Sequence, residues 1–255
     1  MHSDYRGLAP LLAMTRAGVA DNLHFGAAVA VDCDGTILAS VGDPQTRAYI
    51  RSSAKPIQAL PVLAGGAAEA FGLDDADIAI ICGSHHGGEA QIAQVRAVLA
   101  KCGLDESALQ SGSGIADNCS GKHSGMLAAC KHAGFSLEDY TAPDHPHQRR
   151  ILETLKAVCR LSDSEIVVGV DGCSAPIHYF PIFNMALGYA RLAGDSLGQP
   201  FDAAARRILR AMWDHPGGHT GEPDYRELLG EAPRLLTKGG GYGVYCAGVA
   251  GRGIG

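Results

Sequence analysis

Apolar and polar positions along the chain indicate strands near both ends and helices between them. Residues 26–32 and 36–41 are apolar runs on either side of Asp34-Gly35, and an Asp-Gly pair between such runs is typical of a β-hairpin. Residues 243–251 (GVYCAGVAG) indicate a further strand. The region between them has mainly helical spacing, which predicts helices over 53–70, 89–102, 120–133 and 145–160.

The second half of the chain adds a strand and two helices to this prediction. Residues 165–172 (EIVVGVDG) are rich in β-branched side chains and stop at glycine, which indicates a buried strand. Helical spacing returns over 177–193 and 200–214. The run at 77–83 (DIAIICG) fits either a strand or the end of a buried helix.

Glycine and proline give some of the helix boundaries. Pro61 should kink or end the first helix, because proline cannot donate the helical hydrogen bond. Gly134 is well placed to end the third helix in a left-handed conformation. Asp144 is the predicted N-cap of the fourth helix, with Pro146 in its first turn.

Together these elements predict an α+β fold in a single domain over 1–255. One antiparallel sheet would be built from both chain ends, with a helical subdomain over about 53–160 inserted between them. A strand that begins near residue 242 would need a partner that follows it. We therefore expect the chain to be incomplete at its C-terminus.

Composition and charge narrow the class of protein. Hydrophobic residues make up 46 % of the 255 residues, and the formal net charge is −6. Because there is no basic run, nucleic acid and anionic membrane surfaces are not predicted partners. No apolar stretch reaches the ~20 residues of a membrane-spanning helix, and we predict a cytoplasmic protein. Its eight cysteines should then be reduced, and no CxxC or HExxH motif is present.

The first candidate for chemistry is RSSAKPIQALPVL at 51–63. Ser52 and Lys55 form an S-x-x-K motif, and residues three apart share one face of a helix. A neutral Lys55 could then take the proton of the Ser52 hydroxyl and make it a nucleophile. The simpler explanation, an N-cap serine and a surface lysine, is favoured for such a motif taken alone.

Two glycine-rich stretches supply further candidates. Ser84 in CGSHHGGEA would lie at the end of an apolar run, where glycines allow a ligand to approach the backbone. Lys238 in TKGGGYG precedes three glycines. A turn before a helix explains the first stretch, and an ordinary loop lysine explains the second, without any function.

Two cysteine-containing stretches are the remaining candidates. In DNCSGKHSG, Cys119 and Lys122 would project from the first turn of a helix, where both the helix terminus and the lysine stabilise a thiolate. In VGVDGCSAP, Asp171 and Cys173 follow a strand. Two thiolates are a common beginning for a zinc site, whereas a single thiolate is also a nucleophile. Two independent buried thiols remain the alternative.

Taken together and in order, these stretches resemble the asparaginase II family, the rhizobial-type L-asparaginases. The resemblance runs from about residue 6 to the last residue and rests on six stretches: RSSAKPIQAL, CGSHHGGE, DNCSGKHSGML, DHPHQR, VGVDGCSAPI and TKGG…GVYCAG. It implies a fold like those of the glutaminases and serine β-lactamases. It also implies hydrolysis of L-asparagine to L-aspartate and ammonia, and a homodimer.

The resemblance also assigns roles to residues. Ser52 and Lys55 match the nucleophile and its lysine. Ser84 and Lys238 match a second serine–lysine couple. A site for one zinc ion per chain is implied at Cys119, Lys122 and Cys173. Substrate-binding positions are implied at Arg51, His123 and Asp171.

One departure from the family pattern affects Lys238. The family usually has Gly-Ala-Glu-Gly after this lysine, whereas here Tyr242 replaces the acidic residue. Two alternatives to an asparaginase also stay open. One is a glutaminase or another serine acyl-transfer hydrolase of the same fold, and the other is a non-catalytic protein that binds amino acids.

Overall fold

The computed structural model describes residues 7–217, 222, 224–230 and 233–255. Its strands are β1 (Ala9–Arg16), β2 (Val19–Gly26), β3 (Ala28–Val31), β4 (Ile37–Val41), β5 (Arg47–Tyr49), β6 (Val167–Val170), β7 (Pro176–Pro181), β8 (Leu235–Gly241) and β9 (Val244–Val249). Its helices are α1 (Lys55–Ala64), α2 (Ala67–Ala70), α3 (Asp75–Cys82), α4 (Glu89–Lys101), α5 (Ser120–Ala133), α6 (Pro146–Cys159), α7 (Ile182–Ala193), α8 (Phe201–Asp214) and α9 (Arg226–Leu229). No helix in these ranges is long and apolar enough to cross a bilayer.

The strands form small antiparallel sheets, which confirms the α+β class. The hairpin around Asp34-Gly35 is present as the pair β3–β4, and β1–β2 and β8–β9 are two further hairpins. A three-stranded sheet has the order β5-β7-β6. The single sheet that we predicted is instead divided into these separate ladders. The two ends of the chain still meet, because Val31 and Gly255 exchange backbone hydrogen bonds of 2.9 and 3.0 Å.

Several predicted boundaries need correction. Residues 177–181 are strand β7 rather than part of a helix, and the helix begins at Ile182. The apolar run PIHYFP lacks alternation because nearly all its side chains are buried, so its period could not separate strand from helix. The run at 77–83 belongs mostly to helix α3. Strands β1, β2 and β5 were not predicted.

The ends of three helices test the proline and glycine signals. Gly134 does end α5 with a left-handed φ of 69°, as predicted. The prediction of Asp144 as N-cap of α6 is wrong, because the side chain of His145 caps the helix by accepting from the His147 backbone N–H. Pro61 lies inside α1, which continues to Ala64 and does not end at the proline.

Helix α5 carries most of the cysteine-containing stretch, and it is nearly all buried. It lies very close to α3 because two glycines face that helix. A Cβ atom at Gly121 would overlap the Ile80 carbonyl oxygen, and one at Gly125 would lie 2.6 Å from the Ile81 Cγ2 atom. Small residues four apart therefore set the distance between α3 and α5.

The chain also brings its late strand β8 against the turn that precedes α1. Ser53 Oγ donates a hydrogen bond of 2.7 Å to the Lys238 carbonyl oxygen. A Cβ atom at Gly240 would lie 2.8 Å from the Ile50 carbonyl oxygen, so only glycine fits this contact. Lys238 consequently reaches the same part of the fold as Ser52.

Candidate active site

Ser52 lies in a single 3-10 turn, Arg51–Ala54, between β5 and α1. The preceding residue, Arg51, has a left-handed φ of 51°, a conformation that costs a non-glycine residue about 1–3 kcal/mol. Pro56 follows in the first turn of α1, where it loses no hydrogen bond. The turn leaves Ser52 partly exposed at the edge of a cleft of about 730 Å³.

Lys55 is buried at the start of α1, and its amine contacts Ser84 rather than Ser52, the serine that we predicted. Its Nζ atom lies 2.9 Å from Ser84 Oγ, and it donates hydrogen bonds to the carbonyl oxygens of Gly83 (2.7 Å) and Asn118 (2.9 Å). No hydrogen bond joins it to Ser52 within the described residues, although both line a cavity of about 10 Å³. The predicted contact of Ser52 with Lys55 is therefore replaced by a contact of Ser84 with Lys55.

The surroundings of Lys55 bring its pKa closer to neutral pH. Burial lowers the pKa of Lys55 to about 8, and the charges of Lys122 and Lys238 lower it further, against an opposing effect of Cys119. The two carbonyl oxygens can only accept, so they take the two N–H groups of a neutral amine. The charged amine donates a third hydrogen bond to Ser84 Oγ, and once the amine is neutral its lone pair can instead accept the hydroxyl proton of Ser84.

Lys238 is also buried, but its amine contacts a carboxylate rather than Ser84. Its Nζ atom lies 2.5 Å from Glu222 Oε1 and 3.1 Å from the Gly239 carbonyl oxygen. Glu222 also accepts from the Gly239 backbone N–H at 2.9 Å. The predicted couple of Ser84 with Lys238 is therefore not a hydrogen-bonded pair among the described residues.

Glu222 was missed by the sequence analysis. It supplies the carboxylate that the family pattern usually has after Lys238 and that this sequence lacks there. The position of the usual acidic residue holds Tyr242, but Glu222 supplies a carboxylate to Lys238 from a different part of the chain. Glu222 stands alone in HTGEPDY, so no spacing signal could have identified it.

Arg51 and Asp171 form a charged pair at the cleft. Arg51 Nη2 lies 3.5 Å from Asp171 Oδ1, and the Arg51 guanidinium lies 4.6 Å from the ring centroid of Tyr242. All three residues line the cleft. A guanidinium binds carboxylates and a carboxylate binds ammonium groups, so the pair offers complementary contacts for an α-amino acid.

Cys119, Lys122 and Cys173, which the family resemblance implies as zinc ligands, lie close together in the structure. Cys119 is the residue before α5, and Lys122 Nζ lies 3.1 Å from Cys173 Sγ. A hydrogen bond with Cys173 lowers the pKa of Cys119 to about 5, and the charges of Lys55 and Lys122 act in the same direction. Burial opposes the charge of Lys122, but the two cysteines outweigh it and raise the pKa of Lys122.

This set of donors fits a zinc ion chemically. Two sulfur atoms and one nitrogen are buried together, and thiolates are preferred zinc ligands. Lys122 would have to lose its proton to bind a metal. In the part of the chain that the structure describes, no group of three or more His, Cys, Asp or Glu side chains is placed to hold a metal ion.

His123 is buried on α5 beside this cluster. Its Nδ1 atom lies 2.7 Å from the Tyr140 hydroxyl, and the two rings meet edge to face. Burial lowers the pKa of His123 to about 2, with further lowering by Lys122 and Lys55, so the ring is neutral. His123 lines neither the cleft nor the smaller cavity among the described lining residues.

Sequence reasoning missed several residues that line the two cavities. His85 and His86 line the cleft, together with the backbone of Gly239–Gly241 in β8. His178 on β7 lines the smaller cavity beside Ser52, and among the described residues its buried Nδ1 atom has no hydrogen-bond partner. His178 lies within a run that we interpreted as helical, so its approach to the site could not be predicted.

Comparison with known proteins assigns the chain to a family. A search of curated proteins found no match. The family model described as L-asparaginase II matches residues 12–255, which is essentially the whole chain. The matched region contains every candidate site residue described above. The chain therefore belongs to the L-asparaginase II family.

Proposed function

We propose that this protein hydrolyses L-asparagine to L-aspartate and ammonia. Family membership supports an asparaginase-type amidohydrolase. The observation that carries the proposal further is the contact between Lys55 Nζ and Ser84 Oγ at the cleft that Ser52 also lines. A buried amine with a lowered pKa beside a serine hydroxyl is a suitable base for acyl transfer.

In the proposed reaction, Ser52 Oγ attacks the side-chain amide carbon of asparagine. Lys55 accepts the proton that is released, through the Ser84 hydroxyl. The proton then passes to the amide nitrogen, which leaves as ammonia, and an ester to Ser52 remains. Water hydrolyses this ester, releasing L-aspartate and restoring the serine. The Arg51–Asp171 pair would hold the carboxylate and ammonium groups of the substrate.

We also propose that Cys119, Lys122 and Cys173 bind one zinc ion. When bound, zinc would place positive charge beside the cleft and help to orient an anionic substrate group. The chain's contribution is to keep both sulfur atoms and the amine buried at one point, with Cys119 favoured as a thiolate. Asp171, two residues before Cys173, links this point to the substrate-binding pair.

Measured ammonia release tests the catalytic proposal. Purified protein should release ammonia from L-asparagine faster than from L-glutamine, and no β-lactam should be opened. Ser52→Ala should lower the rate about 10³-fold or more, because nucleophile loss removes the acyl intermediate. Ser84→Ala should also be severely impaired. Ser113→Ala is the matched control, since Ser113 lines the same cleft without a lysine contact.

The outcomes of this comparison separate the alternatives. Near-normal release by Ser52→Ala together with an inactive Ser84→Ala would move the nucleophile to Ser84. Faster release from glutamine would indicate a glutaminase. Binding of asparagine without ammonia release would indicate an amino-acid-binding protein.

Metal analysis tests the zinc proposal. Cys119→Ser and Cys173→Ser should each lose about one equivalent of bound zinc, because each removes one of two thiolate ligands. Lys122→Arg should also lose the bound zinc, since a guanidinium has no lone pair to donate to a metal ion. Cys130→Ser is a matched control, a buried cysteine on the same helix. Unchanged zinc in both cysteine variants would contradict the assignment.

The homodimer implied by the family resemblance is also proposed here. Light scattering of the purified protein should give twice the mass of one chain, and a monomer would contradict it. The cytoplasmic location stays a prediction.

A further inference from the structure

Two hydrogen bonds in sequence link the Gln110 backbone, the Tyr140 hydroxyl and the His123 ring. The Gln110 backbone N–H donates to the Tyr140 hydroxyl oxygen at 2.9 Å, and that hydroxyl lies 2.7 Å from His123 Nδ1. Tyr140 and His123 are both fully buried. The other ring nitrogen of His123, Nε2, is buried without a hydrogen-bond partner in the described part of the chain.

The direction of these bonds follows from counting protons. The Gln110 N–H can only donate, so Tyr140 accepts at its oxygen. If His123 Nδ1 also donated to that oxygen, the hydroxyl proton of Tyr140 would be left buried without an acceptor. Such an unpaired buried donor is costly. The arrangement with the fewest unpaired groups has Tyr140 donating its proton to His123 Nδ1.

The tautomer of His123 is thereby determined. A neutral imidazole carries one proton, and Nδ1 is the acceptor, so Nε2 holds the N–H group. His85 shows what a fully paired histidine looks like here: Nδ1 accepts from Gly87 N–H at 3.1 Å, and Nε2 lies 2.8 Å from Ser120 Oγ. His123 has the same tautomer but lacks the second partner.

An unpaired ring nitrogen is not by itself a sign of function, because both ring nitrogens of buried His147 also lack partners within the described ranges. His123 differs in two respects. Its Nδ1 atom is held by Tyr140, and His123 directly follows Lys122 on α5, four residues after Cys119, the residue that precedes this helix. The unpaired donor therefore belongs to the first turns of α5, next in sequence to a proposed zinc ligand.

We propose that Tyr140 is a positioning residue that holds His123 as an Nε2–H donor. His123 then cannot serve as a metal ligand or as a base through Nε2, because that nitrogen has no free lone pair. That N–H group can pair with a carboxylate or amide oxygen and not with an ammonium group. Because His123 lines neither cavity in the described part of the structure, the aspartate titration below tests whether a bound amino acid reaches it. The choice of ligand rests on the proposed function, whereas the tautomer does not.

Nitrogen-15 NMR of histidine-labelled protein tests the tautomer directly. The signals of His123 are identified by their loss in His123→Gln. In the wild-type protein, Nε2 should be protonated and Nδ1 should be unprotonated. A protonated Nδ1 would overturn the inference, and this measurement needs no variant of Tyr140.

Tyr140→Phe tests the role of the tyrosine. It should change the His123 pattern to a mixture of tautomers or to Nδ1–H, and raise the KM for L-asparagine about 3- to 10-fold, with a smaller change in kcat. Tyr189→Phe is the structural control, since it removes a buried hydroxyl that donates to the Ser53 carbonyl oxygen. It should lower stability similarly but leave the His123 signals unchanged. An unchanged His123 pattern in Tyr140→Phe would overturn the role of Tyr140.

Titration with L-aspartate, the proposed product, tests the ligand. The Nε2–H proton of His123 should shift on binding, and a bound aspartate that leaves this proton unmoved would overturn the donor role. The two proposals fail separately. A protein that releases no ammonia but keeps the Nε2–H tautomer contradicts only the proposed function. An active protein with Nδ1–H contradicts only this inference.

Discussion

Lys55 and Lys238 are both buried near Ser53, yet their amines have opposite surroundings. Lys55 contacts two carbonyl oxygens and Ser84, with no carboxylate among its hydrogen-bond partners in the described ranges. Lys238 contacts the Glu222 carboxylate at 2.5 Å. Burial penalises the charge of each amine; the Glu222 carboxylate compensates at Lys238, whereas at Lys55 the opposing effect of Cys119 leaves the pKa lowered. The comparison teaches that burial alone does not make a lysine a base. The hydrogen-bond partners of its amine determine whether it can lose its proton.

The difference also divides the proposed work between the two lysines. Lys55 is the one that can release and accept a proton near neutral pH. Lys238 with Glu222 is an ion pair that joins β8 to the segment of Glu222, and its charge is neutralised there. The second serine–lysine couple implied by the family resemblance is therefore replaced, in our proposal, by one lysine that acts on both serines.

The largest expected effect comes from removing the amine of Lys55. Lys55→Met keeps the length of the side chain but cannot accept a proton, so kcat should fall about 10²- to 10⁴-fold, the usual contribution of a general base. Lys238→Met should reduce kcat less if the comparison is right. Ammonia release measures both, with Lys131→Met as a surface control. Equal losses at the two lysines would remove the distinction between them.

A second effect should appear in stability rather than in rate. Glu222→Gln leaves the Lys238 charge buried without its partner, which should cost about 3–5 kcal/mol in the free energy of unfolding. Denaturant unfolding measures this loss. The double variant Glu222→Gln with Lys238→Met should recover part of the loss, because it removes the unpaired charge. A single variant as stable as the wild type would show that the pair contributes nothing.

The smallest effect is the dependence of the rate on pH. Lys55 must be neutral to act, and burial lowers its pKa to about 8. The rate constant kcat/KM should therefore rise with pH through a midpoint near this value and fall about tenfold for each unit well below it. A pH–rate profile of the wild-type protein is the measurement. A profile flat between pH 6 and 9 would argue against Lys55 as the base.

The same pKa also predicts a change in stability. An unfolded lysine keeps its proton to about pH 10.4, whereas folded Lys55 loses it near 8, so the unfolded chain binds more protons between these values. The contribution of Lys55 therefore makes the protein more stable as pH rises through this window, and below it the folded chain carries the cost of a buried charge. Lys55→Met should remove this contribution.

Much of the site could be predicted because its parts are local. Ser52 and its turn, the start of α5 at Ser120, and the strand before Asp171 each follow from a few neighbouring residues. The meeting of Cys119 with Cys173 depended on the family resemblance, since chemistry alone allowed two independent thiols.

What could not be predicted is the choice of partners across the fold. The spacing of S-x-x-K placed Lys55 beside Ser52, but the carbonyls of Gly83 and Asn118 hold its amine towards Ser84 instead. Those carbonyls lie on other segments, and their positions depend on how α3 and α5 pack. Glu222 and Tyr140 were missed for the same reason, because each acts on a residue that is distant in sequence.

The close contact between α3 and α5 has a practical meaning for engineering. Because Gly121 and Gly125 leave no space for a methyl group, a directed-evolution library should keep both codons fixed. The β1–β2 hairpin offers the opposite case, since most of its side chains face solvent and can be randomised with little loss of folded clones. A mutational scan of this protein should therefore find its sharpest intolerance in the first turns of α5, about 70 residues after the proposed nucleophile Ser52.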